Sequence, residues 1–194
     1  ILSRVKYVLT TGVEPFDRLT GGFPFGRVTE LYGLESCGKT GMVMRAAVRA
    51  QNRHICERTT AEDGSTVMTQ IPADSDVTVV YVDNEQSLND DDKIIIDDTQ
   101  IDGILLRCDT VDQLFKTIEN VIDQVGEHEK ECGRPQFVVV IVDTIAGTAS
   151  KEEISAEWGK DDYSRQPKQL RQAFSKIQRK LNRLNVCMIC TNQV

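Results

Sequence analysis

Gly33-Leu34-Glu35-Ser36-Cys37-Gly38-Lys39-Thr40 fits the phosphate-binding pattern G-x-x-x-x-G-K-S/T at every defined position. Val28-Thr29-Glu30-Leu31-Tyr32 before it reads as a short strand, and Met42-Val43-Met44-Arg45-Ala46-Ala47-Val48 after it reads as a helix. Strand, loop and helix in this order predict an α/β fold in which the loop cradles a polyphosphate. Gly33 and Gly38 let the backbone curl, so that the N–H groups from Leu34 through Gly41 line one concavity at the positive end of the following helix. Lys39 would reach the β- and γ-phosphates. The Thr40 hydroxyl would ligate a Mg²⁺, a hard cation that shares its shell with phosphate and water.

Composition sets the outer limits. The chain has 194 residues, 40% of them hydrophobic and 27% charged, which suits one soluble domain with a full core. No run approaches the roughly 18 apolar residues of a membrane span, and no signal peptide opens the chain, so a cytoplasmic setting without membrane contact is expected. The six cysteines are too sparse for a disulfide scaffold. Cys187 and Cys190 form C-x-x-C, readable as a zinc or redox pair, but they stand inside the apolar run Val186-Cys187-Met188-Ile189-Cys190, which reads as a buried strand. Ile1 at the start and Val194 directly after a strand suggest an excised piece of a longer protein.

Strands and helices alternate along the chain. A stretch from Val5 to Leu9 precedes a short helix around Phe16 to Leu19, closed by Gly21-Gly22. Residues 52–76 break the rhythm as a surface insertion or a β-hairpin turning at Asp63-Gly64. A strand is expected over Val77 to Val82, a helical or irregular stretch to Asp98, and a short strand over Gly103 to Arg107. Thr110 and Gln113 have capping-box spacing ahead of Leu114, Phe115, Ile118, Val121, Ile122 and Val125, which share one helical face. Val138-Val139-Val140-Ile141-Val142 is apolar throughout, as a central parallel strand should be. A last helix carries Leu170, Phe174, Ile177, Leu181 and Leu184 into the strand from Val186. The expected fold is a mostly parallel central sheet flanked by helices.

Two carboxylates suit hydrolysis. Asp143 ends the buried strand, where open α/β sheets bind ligands, and would hold Mg²⁺ through water; capping a helix or turn is the alternative. Glu85 lies just past the strand from Val77 and would orient and deprotonate an attacking water, or it is one solvated acid among Asp83, Asp90, Asp91 and Asp92.

These residues, with Thr11-Gly12, Gly21-Gly22 and Gly26-Arg27-Val28-Thr29-Glu30-Leu31-Tyr32-Gly33, make the chain resemble the RecA-type DNA strand-exchange recombinases. The likeness covers most of the sequence; Thr10-Thr11-Gly12 and Thr191-Asn192-Gln193-Val194 are equally close to archaeal and eukaryotic recombinases. It implies a RecA-like P-loop NTPase core over residues 1–194, cut short on its C-terminal side, from a divergent member, with a phage as one candidate source. It further implies ATP and Mg²⁺ as cofactors, homo-oligomeric filaments on single-stranded and double-stranded DNA, and a nucleoid or host-cytoplasm setting. By position, Gln193 matches the glutamine that senses the γ-phosphate, and Asn89 a residue that contacts adenine. Asp92 stands where RecA has a base-stacking aromatic. The stretch Ile1 to Leu9 would add a strand to a neighbour, or pair within its own chain.

The region 150–166 corresponds to the family's first DNA-binding loop. Trp158 and Tyr163 there would stack on bases, worth about 1–3 kcal/mol per base, or Trp158 packs on protein. The chain is −7 overall, yet all 30 acidic residues lie at or before Asp162; Arg165, Lys168, Arg171, Lys176, Arg179, Lys180 and Arg183 follow without one. Arg165, Lys168 and Arg171 are expected to meet DNA phosphates, with a solvated helix face as the alternative, which is the better reading for Arg179, Lys180 and Arg183. Two rival functions share this pattern: a hexameric helicase or clock-type ATPase, and a recombinase paralogue acting as a mediator.

Overall fold

The computed structural model describes residues 5–85, 95–96, 99–145 and 166–193. In chain order the elements are β1 (Tyr7–Leu9), α1 (Glu14–Thr20), β2 (Phe23–Pro24), β3 (Arg27–Gly33), α2 (Lys39–Gln51), β4 (Ile55–Thr60), β5 (Thr66–Gln70) and β6 (Asp76–Asp83). They continue with β7 (Ile95–Ile96), β8 (Thr99–Gln100), β9 (Ile104–Leu106), α3 (Val111–Cys132), β10 (Gln136–Asp143), α4 (Gln166–Leu181) and β11 (Val186–Gln193).

The main sheet has the order β3-β11-β10-β6-β9, and every pairing in it is parallel. β10 is buried at each of its positions because helices cover both faces. Side chains alternate across the sheet, so Val138, Val140 and Val142 meet Leu114 and Ile118 of α3 and Ile177 and Leu181 of α4. Phe137, Val139 and Ile141 face the other way, onto Val43, Ala46, Ala47 and Ala50 of α2. The three alanines bring the backbone of α2 close to the sheet, and with it the loop that precedes the helix.

A second, antiparallel sheet, β2-β1-β4-β5, flanks this core. β4 and β5 form a hairpin that turns at Asp63-Gly64, where Gly64 has φ +81° and Ala61 N–H donates to Ser65 O at 2.9 Å. It is joined to the body: Tyr7 pairs with Glu57 and Leu9 with Ile55, and both Leu9 and Ile55 are fully buried. Residues 7–9 therefore pair within their own chain; residues 1–4 lie outside the described set.

Two local readings change. Residues 95–96 and 99–100 form a small antiparallel pair where the sequence suggested a helical or irregular stretch, in keeping with the β-branched run Ile94-Ile95-Ile96. α4 ends at Leu181, and Leu184 reaches the core from the turn that follows. The start of α3 behaves as its spacing predicts, with Gln113 N–H donating to Thr110 Oγ1 at 3.1 Å; Gln113 Oε1 accepts from Asp109 N–H, one residue before the cap. Among the described residues no helix is long and apolar enough to cross a membrane.

Candidate nucleotide site

The Gly33–Thr40 loop joins β3 to α2 at the carboxyl ends of the parallel strands. Gly38 caps α2 with φ +92°, and Ser36 also lies in the left-handed region at φ 57°. These two turns aim the loop back over the first turn of the helix. Lys39 Nζ donates to Gly33 O at 3.0 Å and to Leu34 O at 2.8 Å, so its ammonium lies inside the curl of the loop. A cleft of about 330 Å³ opens there, lined by Glu35, Ser36, Gly38, Lys39 and Thr40 together with Glu85, Asp143 and Gln193. Leu34 and Cys37 are exposed at the rim, and Gly41 follows on the first turn of α2 with open space beside it.

Strand register brings the other groups to the loop. Gln193 is the register partner of Gly33, and Asp143 that of Asp83. Gln193 Nε2 donates to Glu85 Oε1 at 3.1 Å, so the two distant residues meet across the cleft. Glu85 N–H and Asn84 N–H both donate to the Asp143 carbonyl, at 3.4 and 2.9 Å, which ties the segment after β6 to the end of β10. Asn84 extends the tie: its Nδ2 donates to Thr144 O and its Oδ1 accepts from Cys108 N–H, each at 3.3 Å. Asp143 is almost fully buried; its Oδ2 accepts from the Tyr81 hydroxyl at 2.8 Å and its Oδ1 from the Thr191 hydroxyl. Burial, and then the Asp143 charge, push the Tyr81 hydroxyl far above its ordinary value, so it remains a donor.

Asp143 and Thr40 offer only oxygen to a metal, the preference of Mg²⁺. Among the described residues no group of three or more His, Cys, Asp or Glu could hold an ion alone. The donor set thus fits an ion that takes most of its shell from phosphate and water.

A family profile described as RecA N-terminal domain matches residues 7–194. The chain belongs to that family. Protein RecA of Aquifex pyrophilus is 26% identical over 191 residues, 96% of this chain and 45% of that relative. Protein RecA of Colwellia psychrerythraea is 29% identical over 178 residues, covering 90% and 41%, and that of Laribacter hongkongensis 27% over 192 residues, covering 96% and 44%. The chain spans less than half the length of these curated relatives.

Within this RecA-type core the sequence pointed to Lys39, Thr40, Glu85, Asp143 and Gln193, and the fold brings them together. It missed Tyr81 and Thr191, which hold the Asp143 carboxylate, and Asn84, which ties the segment after β6 to the backbone after β10; a tyrosine and a threonine inside apolar strands read as ordinary β formers. Cys187 and Cys190 are fully buried on opposite faces of β11, each with its thiol pushed well up by burial, which rules out a shared metal or a disulfide between them. Asn89, Asp92, Trp158, Tyr163 and Arg165 lie outside the described residues, and Lys168 falls on the first turn of α4 with its side chain outside them too. Arg171 is exposed on α4. Lys176 and Lys180 are not free cations: they pair with Glu119 and Asp123 of α3, each at 2.7 Å.

Proposed function

We propose that this chain is the ATP-binding core of a DNA recombinase, which binds single-stranded DNA as a filament and couples nucleotide turnover to homologous pairing. The supporting observation is the meeting of Lys39, Glu85, Asp143 and Gln193 around one cleft, with Gln193 hydrogen-bonded to Glu85. Membership of the RecA N-terminal domain family supplies the reaction class.

Each residue has a task in that reading. The backbone N–H groups of the Gly33–Thr40 loop receive the phosphates, and Lys39 exchanges the carbonyls of Gly33 and Leu34 for phosphate oxygens. Thr40 and Asp143 would hold Mg²⁺, which supplies charge neutralisation between the β- and γ-phosphates. Glu85 accepts the proton of the attacking water. While Gln193 bonds it, Glu85 is held aside; a γ-phosphate that accepts the Gln193 amide releases Glu85 to the water and shifts the end of β11. Occupancy of the site is thereby transmitted to the chain that continues from Gln193, a population shift driven by differential contacts to one phosphate. Arg171, with Lys168 and Arg165, would meet the DNA backbone, and Trp158 and Tyr163 its bases.

The test is ATP hydrolysis by the protein carrying this chain, with and without single-stranded DNA. Lys39→Ala is expected to lose nucleotide binding. Glu85→Gln is expected to keep binding and lose about 10²- to 10⁴-fold in rate, the range of a general base. Normal hydrolysis by Glu85→Gln, or a wild-type rate indifferent to DNA, would overturn the reading. Closed rings without helical filaments in particle images would favour a hexameric ATPase instead.

A further inference from the structure

The carboxylate of Asp143 is held from both sides. β6 and β11 flank β10, and each supplies one hydroxyl donor: Tyr81 to Oδ2 and Thr191 to Oδ1. Tyr81 is the register partner of Ile141, so Asp143 is its diagonal neighbour two residues further along the same face. That separation suits a long aromatic side chain and is beyond a shorter one. Tyr81 is 2% exposed, and its ring fills core space on the α2 side.

An ionised carboxylate has about four acceptor positions. Two hydroxyl donors occupy one position on each oxygen and leave the others for groups in the cleft that Thr40 and Lys39 share. With both oxygens tethered, rotation of the carboxylate would cost a buried hydrogen bond on each side. Asp83 stands abreast of Asp143 in the register, yet the Tyr81 hydroxyl bonds Asp143.

We propose that Tyr81 is a positioning residue for the metal-bearing end of the cleft, fixing the Asp143 carboxylate, together with Thr191, in the orientation that receives a hydrated divalent cation. This rests on the reading of Thr40 and Asp143 as the metal side. Tyr81 itself does not touch the metal or the nucleotide. Its hydroxyl spares Asp143 an ordering cost on each binding event, which is a contribution to metal affinity and not to nucleotide affinity as such.

The experiment measures Mn²⁺ retention by electron paramagnetic resonance in the complex of the protein carrying this chain with a non-hydrolysable ATP analogue. Fluorescent ATP-analogue binding in excess chelator gives the metal-free affinity. Tyr81→Phe keeps the ring and removes the donor; it is expected to weaken Mn²⁺ by about tenfold and change metal-free nucleotide binding by less than about twofold, as loss of an outer-sphere partner should. Thr191→Val should weaken Mn²⁺ similarly, and Thr191→Ser, which restores the hydroxyl, should return it. Wild-type Mn²⁺ affinity in Tyr81→Phe, beside a large loss in Asp143→Asn, would overturn the positioning role and leave the metal reading standing. Wild-type affinity in Asp143→Asn would overturn the metal reading and this role with it. Equal weakening of nucleotide with and without metal in Tyr81→Phe would make Tyr81 a core residue only.

Discussion

At Gly22 a β-carbon would lie 2.5 Å from the carbonyl oxygen of Leu9, and the residue has φ +87°. Both backbone conformation and space exclude a side chain there. Gly64 shares the positive φ, at +81°, but has nothing within 4 Å. Gly22→Ala should therefore cost about 2–4 kcal/mol in denaturant unfolding, and Gly64→Ala only about 1–2 kcal/mol of backbone strain. Similar losses for the two would show that the close approach to Leu9 is unimportant.

His54 gives a pH prediction of the same grain. Burial, and then the charge of Arg49, hold its imidazole below the ordinary value of 6.5. The unfolded chain takes up this proton near 6.5 while the folded chain resists it, so acidification through and below that value should erode stability. Melting temperatures taken from about pH 7.5 down to about pH 5.5 should fall less steeply for His54→Gln than for the parent. Parallel curves would remove His54 as a contributor.

The residues legible in the sequence were those whose type and spacing name a task. Lys39 and Thr40 follow from a local motif, and Asp143 from its place after an apolar run. Gln193 needed a family likeness, because one amide at a strand end has no local signature. Tyr81 and Thr191 were not legible, because their task depends on a register between strands roughly 50–60 residues apart in the chain.

Among elements, α3 and α4 show how a basic helix is shared between partners. Lys176 and Lys180, one turn apart, reach Glu119 and Asp123, and these pairs are partly or largely exposed. A double-mutant cycle on Lys176 and Glu119 should yield about 0.2–1 kcal/mol, falling as salt is added. By contrast Ile177 lies between them, fully buried, and Ile177→Ala should cost about 2–5 kcal/mol with little salt dependence. Strands and helices of the main sheet were readable because their apolar runs or helical faces are long. Of the second sheet, the β4–β5 hairpin turning at Asp63-Gly64 was one of the two readings offered, whereas its union with β1 and β2 was not legible, since these have three and two residues and acquire strand geometry only by pairing with each other and, for β1, with β4.

For the whole molecule the deciding quantity is the separation of charge. The −7 net charge of this chain works against nucleic acid in general, and on the proposed reading the acid-free segment after Asp162, with Lys168 and Arg171, is where DNA phosphates would be met. Single-stranded DNA binding should weaken with salt, and Lys168→Ala with Arg171→Ala together should lower the slope of log affinity against log salt by about 1.4, near 0.7 for each phosphate no longer neutralised. An unchanged slope would move the DNA surface away from α4.

The parallel pairing of β3 with β11 joins the earliest strand of the main sheet to its last. Lys39 and Gln193 reach the same cleft only after this pairing, and β10 must already stand beside β11 to present Asp143. Pairings of such sequence separation close slowly, because the loop entropy must be overcome before the pairing rewards it. A chain still emerging from the ribosome would thus lack a nucleotide site until β11 was released. If the cleft takes ATP as proposed, nucleotide affinity would report when the β3–β11 seam has closed, and bound ATP would hold that seam shut.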